Sequence, residues 1–207
     1  MTYELKVDKL NIVKRAIPYD RYFGEMILTD KQKQDRIDLA KAFEDMMLYL
    51  FSLIDTARQY NIDKQFIIDS VRYRYLSILG TVVAIDDYLT EYINQFAIQA
   101  VDTTQDNIED EWYLSSDRAK YVAENEANTS LNYSDYVSAI QAGKTRKRWR
   151  TMGDIKVRRT HRELNNKTIP IDGVFLVGNS EMRFAKDISL GASAKEIVNC
   201  RCSTEYL

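Results

Sequence analysis

Residues 29–60 read TDKQKQDRIDLAKAFEDMMLYLFSLIDTARQY, and this stretch decides the architecture of the first half of the chain. Thr29 followed three residues later by Gln32 has the form of a capping box, in which each side chain satisfies a backbone N–H that the first helical turn leaves without a partner. Beyond it, Leu39, Phe43, Met47, Leu50 and Ile54 recur at helical spacing, while Lys31, Lys33, Arg36, Lys41 and Glu44 fall elsewhere. That pattern predicts an amphipathic helix with one buried stripe, ending near Tyr60.

Two more stripes follow. Asn61-Ile62-Asp63 breaks the first helix and can cap a second, whose stripe runs Phe66, Ile67, Val71, Tyr75, Ile78 and Val82, with Gly80 kinking or ending it. A third stripe, Ile85, Leu89, Tyr92, Ile93, Phe96 and Ala100, carries the chain to Val101. Long helices with short connections predict an antiparallel bundle. Before it, residues 1–28 mix apolar and charged positions irregularly around Pro18 and are expected as an N-terminal arm. After it, the acidic run from Asp102 to Glu111 is expected as an exposed linker. Ser115 or Ser116 with Asp117 can then cap a fourth helix, expected to break near Asn128-Thr129, resume over Tyr133 to Ala142 and end on Gly143.

From Lys144 the character changes. This part holds 14 Lys and Arg against 7 Asp and Glu, whereas the residues before it hold 15 against 24. Such asymmetry points to an end that faces nucleic acid joined to an end that faces protein. Lys144, Arg146, Lys147, Arg148, Arg150, Lys156, Arg158, Arg159 and Arg162 are the candidate DNA-contacting residues. Closely spaced cations neutralise phosphates and release counterions, giving binding that is salt-dependent and indifferent to sequence. A solvated basic loop or a protein-facing patch is the alternative. Trp149 among them can stack on a base or pack. Asp154 can cap a short helix, Ile155 to Leu164; Thr168 to Ile171 and Val174 to Val177 read as strands of a hairpin turning at Asp172-Gly173; Gly178-Asn179 turns the chain again; and Glu196-Ile197-Val198 reads as a final strand. The fold class expected is therefore a mostly α N-terminal helical bundle followed by a small α+β C-terminal module: arm 1–28, bundle 29–114, and module 115–207, the last divided into a helix at 115–143 and a basic α+β part at 144–207.

The chain has one histidine, His161, and two cysteines, Cys200 and Cys202. If the segment is extended, both thiols point to the same face. A disulfide between such close neighbours would be strained. Three readings stay open: packed, reduced thiols; a zinc site in which His161, Cys200 and Cys202 supply three ligands and Asp172, Asp187 or water the fourth; or a redox or intermolecular role. Zinc is the only cofactor the sequence suggests. Two cysteines in so long a chain fit a reducing compartment. No apolar run approaches the roughly 18 to 20 residues that span a bilayer, and the first residues lack a secretory signal's apolar core, so no membrane partner is expected.

Enzyme signatures are missing. The chain has no G-x-x-x-x-G-K-[ST] loop, no G-x-G-x-x-G, no G-x-S-x-G elbow and no H-E-x-x-H helix. A nuclease or another zinc-containing, nucleic-acid-processing enzyme is the alternative function; it would assemble Glu124, Glu126, Asp154 and Asp172, or the His–Cys trio.

The order Lys147-Arg148-Trp149-Arg150-Thr151, Asp154, Val157-Arg158, His161, Ile171-Asp172, Phe175 and finally Ile197-Val198-Asn199-Cys200-Arg201-Cys202 resembles the phage Mu F-like minor head protein family, also called the phage head morphogenesis family. Ala123-Glu124-Asn125-Glu126 and Asn132 are similar to the helix that precedes the module there. The resemblance covers about residues 115 to 207, Asn-Cys-Arg-Cys being its most specific part, and makes Trp149, Asp154, Asp172 and Asn199 motif residues. Met182 to Asp187 stands where the family tends to have a Pro-rich stretch. The resemblance implies a nonenzymatic minor capsid protein of a tailed double-stranded DNA phage, acting in head morphogenesis. Its implied partners are the portal protein, the major capsid protein and double-stranded DNA. Its implied places are the host cytoplasm during assembly and then the capsid interior of the virion, with a part in DNA delivery. Some relatives carry a toxin or peptidase after the module; with five residues after Cys202, none is expected here.

Overall fold

The computed structural model describes residues 17–207. Residues 1–16, the greater part of the expected arm, lie outside the described residues. Within the remainder of that segment Tyr19–Gly24 forms α1, which buries Tyr19, Tyr22 and Phe23. The helices continue with α2 (Asp30–Tyr60), α3 (Lys64–Leu79) and α4 (Asp87–Asp106), then a 3-10 turn (Glu111–Leu114) and α5 (Ser116–Gln141). Strand β1 (Arg146–Arg150), the short α6 (Arg159–Arg162), β2 (Thr168–Pro170), β3 (Phe175–Val177), β4 (Ser180–Met182), α7 (Ala194–Ile197) and β5 (Ser203–Tyr206) follow. The architecture is the expected helical N-terminal part followed by a small α+β region.

Local chemistry sets most boundaries. The Thr29 N–H is accepted by Gln32 Oε1 at 3.1 Å and Gln32 N–H by Thr29 Oγ1 at 3.3 Å, a reciprocal capping box at the start of α2. Asp63 caps α3 by accepting from Gln65 N, Asp86 caps α4 by accepting from Leu89 N, and Ser115 Oγ accepts from Arg118 N at the start of α5. At the far end of α5, Gly143 at φ +70° closes the helix, with Gly143 N bonded to the Ile140 carbonyl and Lys144 N to that of Ala139. This is the left-handed C-terminal cap that glycine adopts without penalty.

The residues fall into two compact units, one of residues 38–126 and one comprising 17–37 with 127–207. In the first unit the α2 stripe is buried over Leu39, Phe43, Met47, Leu50 and Ile54. Tyr75 of α3 packs on Phe43 and Phe96 at ring-centroid distances of 4.5 and 5.1 Å. The Tyr75 and Tyr92 hydroxyls both donate to Glu126 Oε2, at 2.8 and 2.7 Å, so the buried carboxylate is satisfied. Three expectations fail here. Phe66 is exposed while Ile68 and Leu79 are buried, because the inward face of α3 is rotated relative to the stripe read from the sequence, and Val82 is exposed beyond the helix, which ends at its Gly80 cap. Helix α4 runs on to Asp106, into the first half of the expected linker, and Thr104 there is buried and bonds back to the Ala100 carbonyl. Helix α5 does not break at Asn128-Thr129.

The second unit explains that continuity. Arg36 of α2, buried to 1 % exposure, donates to Asn128 Oδ1 (3.1 Å), Asn132 Oδ1 (2.9 Å), Asp135 Oδ2 (3.0 Å) and the Gln32 carbonyl (3.2 Å). The amide nitrogens of the same asparagines donate to the carbonyls of Cys200 and Ala185. Side chains that could compete with the helix backbone are thus occupied elsewhere.

The strands differ most from expectation. β1 is the centre of a three-stranded antiparallel sheet in the order β2-β1-β5, with Lys147 opposite Ile169 and Tyr206. The hairpin lies between β3 and β4 across Gly178-Asn179, and not around Asp172-Gly173, because β2 is already paired with β1. Glu196 and Ile197 belong to helix α7, and the final strand begins after the cysteines. The core here gathers Trp149, Leu164, Phe175, Val177, Met182, Ala185, Ala192, Cys200 and Cys202. Met182, Phe184, Ala185, Lys186 and Asp187, in place of a Pro-rich stretch, are buried; Asp187 accepts from Arg183 and from Ser189 Oγ.

Candidate functional site

Alternation along β1 sorts the basic segment. Successive strand side chains face opposite ways, so Lys147 and Trp149 enter the core while Arg146, Arg148 and Arg150 face out. Lys147 is completely buried. Its ammonium donates to the Ile171 carbonyl at 2.7 Å and lies over the rings of Tyr136 and Phe175. Burial pulls its pKa down to about 8, against the opposing pull of Asp187. Lys147 therefore leaves the set of surface cations expected from sequence.

Of the other expected contacts, Lys144, Arg146, Lys156, Arg159 and Arg162 are exposed and Arg148, Arg150 and Arg158 are half-buried. Arg148 and Arg150 flank Glu205 of β5 at 3.5 and 3.8 Å, and bond Thr168 and Asn166. Arg158 precedes α6 and donates to the Val198 carbonyl. The helix expected over Ile155 to Leu164 is shortened to α6. Asp154 caps no helix: it accepts from Lys156 N within a turn and from the Arg201 guanidinium, which outweighs burial and holds the carboxyl below its usual pKa. Trp149 is a core residue at 0 % exposure and packs edge-on to His161 and Phe175. Asp172 is exposed beyond β2, and Asn199 sits at φ +58° in the turn leading into the cysteines.

His161 comes from α6, and the cysteines from the coil between α7 and β5. The structure brings these three together: His161 Nδ1 lies 3.4 Å from Cys202 Sγ and 3.5 Å from Cys200 Sγ, all three are buried, and the cysteines are not bonded to each other. On the other side of the ring, Nε2 is 3.0 Å from Glu196 Oε2, which also accepts from Thr160 Oγ1 at 2.9 Å. Glu196 was read from sequence only as part of a strand; nothing in its spacing marks it as a partner of His161. Gly178, at φ +61° in the β3–β4 turn, leaves room for it, since a Cβ there would stand 2.9 Å from Glu196 Oε1.

The electrostatics follow this geometry. The Cys202 thiol, hydrogen-bonded to Cys200, draws the Cys200 pKa well down and is itself raised; His161 adds to the Cys200 shift. Burial alone would lower the His161 pKa, but the Cys200 sulfur and the Glu196 carboxylate together lift it above its ordinary value. Asp172 and Asp187 do not join the group of possible ligands. Nor do Glu124 and Glu126 gather with Asp154 and Asp172 into any carboxylate cluster among the described residues.

A family model described as Phage Mu protein F like protein matches residues 98–205, more than half of the chain. No curated protein and no solved structure matches it. Among the described residues no helix is long and apolar enough to cross a membrane.

Proposed function

Because the chain belongs to the Phage Mu protein F like family, whose members are structural proteins of phage head morphogenesis, we propose that it is a minor capsid protein of a tailed double-stranded DNA phage. In this reading it contacts the portal protein, with the major capsid protein as a second partner, and lies inside the head against the packaged genome, assisting its delivery. In this reading it performs no catalysis; the carboxylate form of the nuclease alternative has no cluster to support it among the described residues.

One observation supports the DNA half: the outward row Arg146, Arg148 and Arg150 on β1, continued by exposed Lys144. A row on a strand repeats every second residue, and its guanidiniums suit phosphate oxygens rather than base edges. Arg146 makes no ion pair among the described residues, while Glu205 neutralises part of the charge on Arg148 and Arg150. The protein half draws on unit 38–126, where Phe66 and Tyr73, seven residues apart on α3, are 56 % and 73 % exposed. Large aromatics presented on one helix face are the kind of group that anchors a protein interface.

The DNA contact is tested by anisotropy titration of two unrelated duplexes over a range of salt. Equal affinities are expected, falling with salt at a slope of about −0.9 per phosphate contact. The triple variant Lys144→Glu, Arg146→Glu, Arg148→Glu should flatten that slope by about 2.7 if three contacts are lost. A chain that ignores both duplexes at low salt refutes the DNA half. Labelling the chain in assembled particles tests the rest: a position on the outer capsid surface would refute it.

A further inference from the structure

We propose that His161 Nδ1, Cys200 Sγ and Cys202 Sγ bind one zinc ion, with the fourth coordination position open to solvent. The inference is independent of how the chain engages DNA or portal. Zinc bonded to sulfur at about 2.3 Å and to nitrogen at about 2.0 to 2.1 Å in tetrahedral geometry sets the nitrogen and sulfur atoms about 3.6 Å apart. The observed separations are 3.4 and 3.5 Å, and the three ligand atoms all lie within 4.8 Å of one another.

Three further observations point to a cation rather than to packed thiols. First, Glu196 Oε2 lies 3.0 Å from Nε2, where a carboxylate holds a proton on that nitrogen, so a bound cation would meet the Nδ1 lone pair on the side of the sulfurs. One lone pair can accept from a single thiol, whereas one cation engages the nitrogen and both thiolates. The carboxylate–imidazole–metal relay that results is the usual support of a histidine ligand. Second, the Trp149 indole N–H is buried without a hydrogen-bond partner, on a ring that packs edge-on against His161 of the trio. Third, a recess of about 20 Å³ opens at the trio, lined by Met152, Lys156, Arg158, Asn199 and Arg201. That is room for one water. Three protein ligands and a water describe an open zinc site, in contrast to the four-ligand sites that serve folding alone. Lys156, Arg158 and Arg201 around the opening favour an anion as the molecule that replaces the water.

Binding places Zn²⁺ on two thiolates and a neutral imidazole: two protons leave the trio to buffer, the imidazole keeps its Nε2 proton, and the two thiolate charges offset those of the ion, so the loaded site is neutral overall. No oxidant or reductant is involved.

The test uses the full chain, kept reduced, stripped with a chelator and reloaded. Zinc is expected at one equivalent, with about two protons released near pH 7 on calorimetry in buffers of different ionisation enthalpy. Cobalt in its place should show a thiolate-to-metal charge-transfer band and the intense visible bands of a tetrahedral ion. Cys200→Ser and Cys202→Ser should each weaken that band. Glu196→Gln should keep it while lowering zinc affinity by about 10- to 100-fold. Inorganic phosphate or azide added to the cobalt form should shift the visible bands. If those bands do not move, the open position is refuted. If the unmutated chain takes up well under one equivalent and cobalt gives no charge-transfer band, the site itself is refuted, whatever the variants do.

Discussion

Lys147→Met isolates the energetic consequence of burying an ammonium on the inward face of β1. The pKa of Lys147 falls from 10.5 to about 8 on folding, chiefly through desolvation. At 1.36 kcal/mol per pH unit the difference amounts to about 3 kcal/mol. Below pH 8 both folded and unfolded chains hold the proton, and the folded state carries the full cost of burial. Between pH 8 and 10.5 the unfolded chain keeps a proton that the folded chain has shed, so raising the pH favours folding. Relative to Lys147→Met, the unmutated protein should therefore gain about 2 kcal/mol of stability between pH 7 and pH 9.5, most of it above pH 8. Urea unfolding of both proteins at several pH values, with reductant present, measures this directly. The difference between the two proteins cancels the titration of every other tyrosine, lysine and cysteine. At neutral pH the lysine's bond to the Ile171 carbonyl and its place over Tyr136 offset part of the cost, so the pH profile is the diagnostic quantity rather than the value at one pH. A stability difference that stays flat from pH 7 to pH 9.5 would show that Lys147 remains charged in the folded protein, and would refute the reasoning.

Three other perturbations have definite expectations. Arg36→Ala leaves the acceptors of Asn128, Asn132 and Asp135 without their shared donor and should cost about 3 to 5 kcal/mol, read from denaturant midpoints; a loss below about 1 kcal/mol would mean the network adds nothing. Gly178→Ala forces a left-handed backbone on a residue with a Cβ and drives that carbon against Glu196; about 1 to 3 kcal/mol is expected, together with a shift of the His161 imidazole resonances in NMR, and an unchanged spectrum counts against the coupling. Thr29→Ala removes half of a reciprocal cap and should cost about 1 kcal/mol in a thermal melt, while Lys31→Ala, exposed in the same first turn, should cost far less.

Much of this was legible because local rules agreed with the fold. Thr29, Asp63 and Ser115 cap helices as their side-chain chemistry demands, and the rarity of His161, Cys200 and Cys202 was enough to single out a trio that tertiary structure then unites. The failures share a different cause, which is that a distant partner overrode a local signal. Asn128 looked like a helix breaker because its amide competes for backbone, but Arg36 and the Cys200 carbonyl occupy it. Asp172-Gly173 carries strong turn chemistry, yet β2 had found β1, a strand disguised by the lysine at an inward position. Glu196 gave no sign at all, since a carboxylate is common and only the burial of its imidazole partner makes it special.

The central position of β1 bears on the order in which the chain becomes ordered. Its two neighbours are unequal: β2 lies some twenty residues downstream, whereas β5 closes the other side from more than fifty residues away. Loop closure across the longer span is entropically slower. During synthesis, then, one edge of the arginine strand stands open to any passing polymer until Ser203 to Tyr206 arrive. Pulse-labelled hydrogen exchange should find the amides shared with β2 protected before those shared with β5.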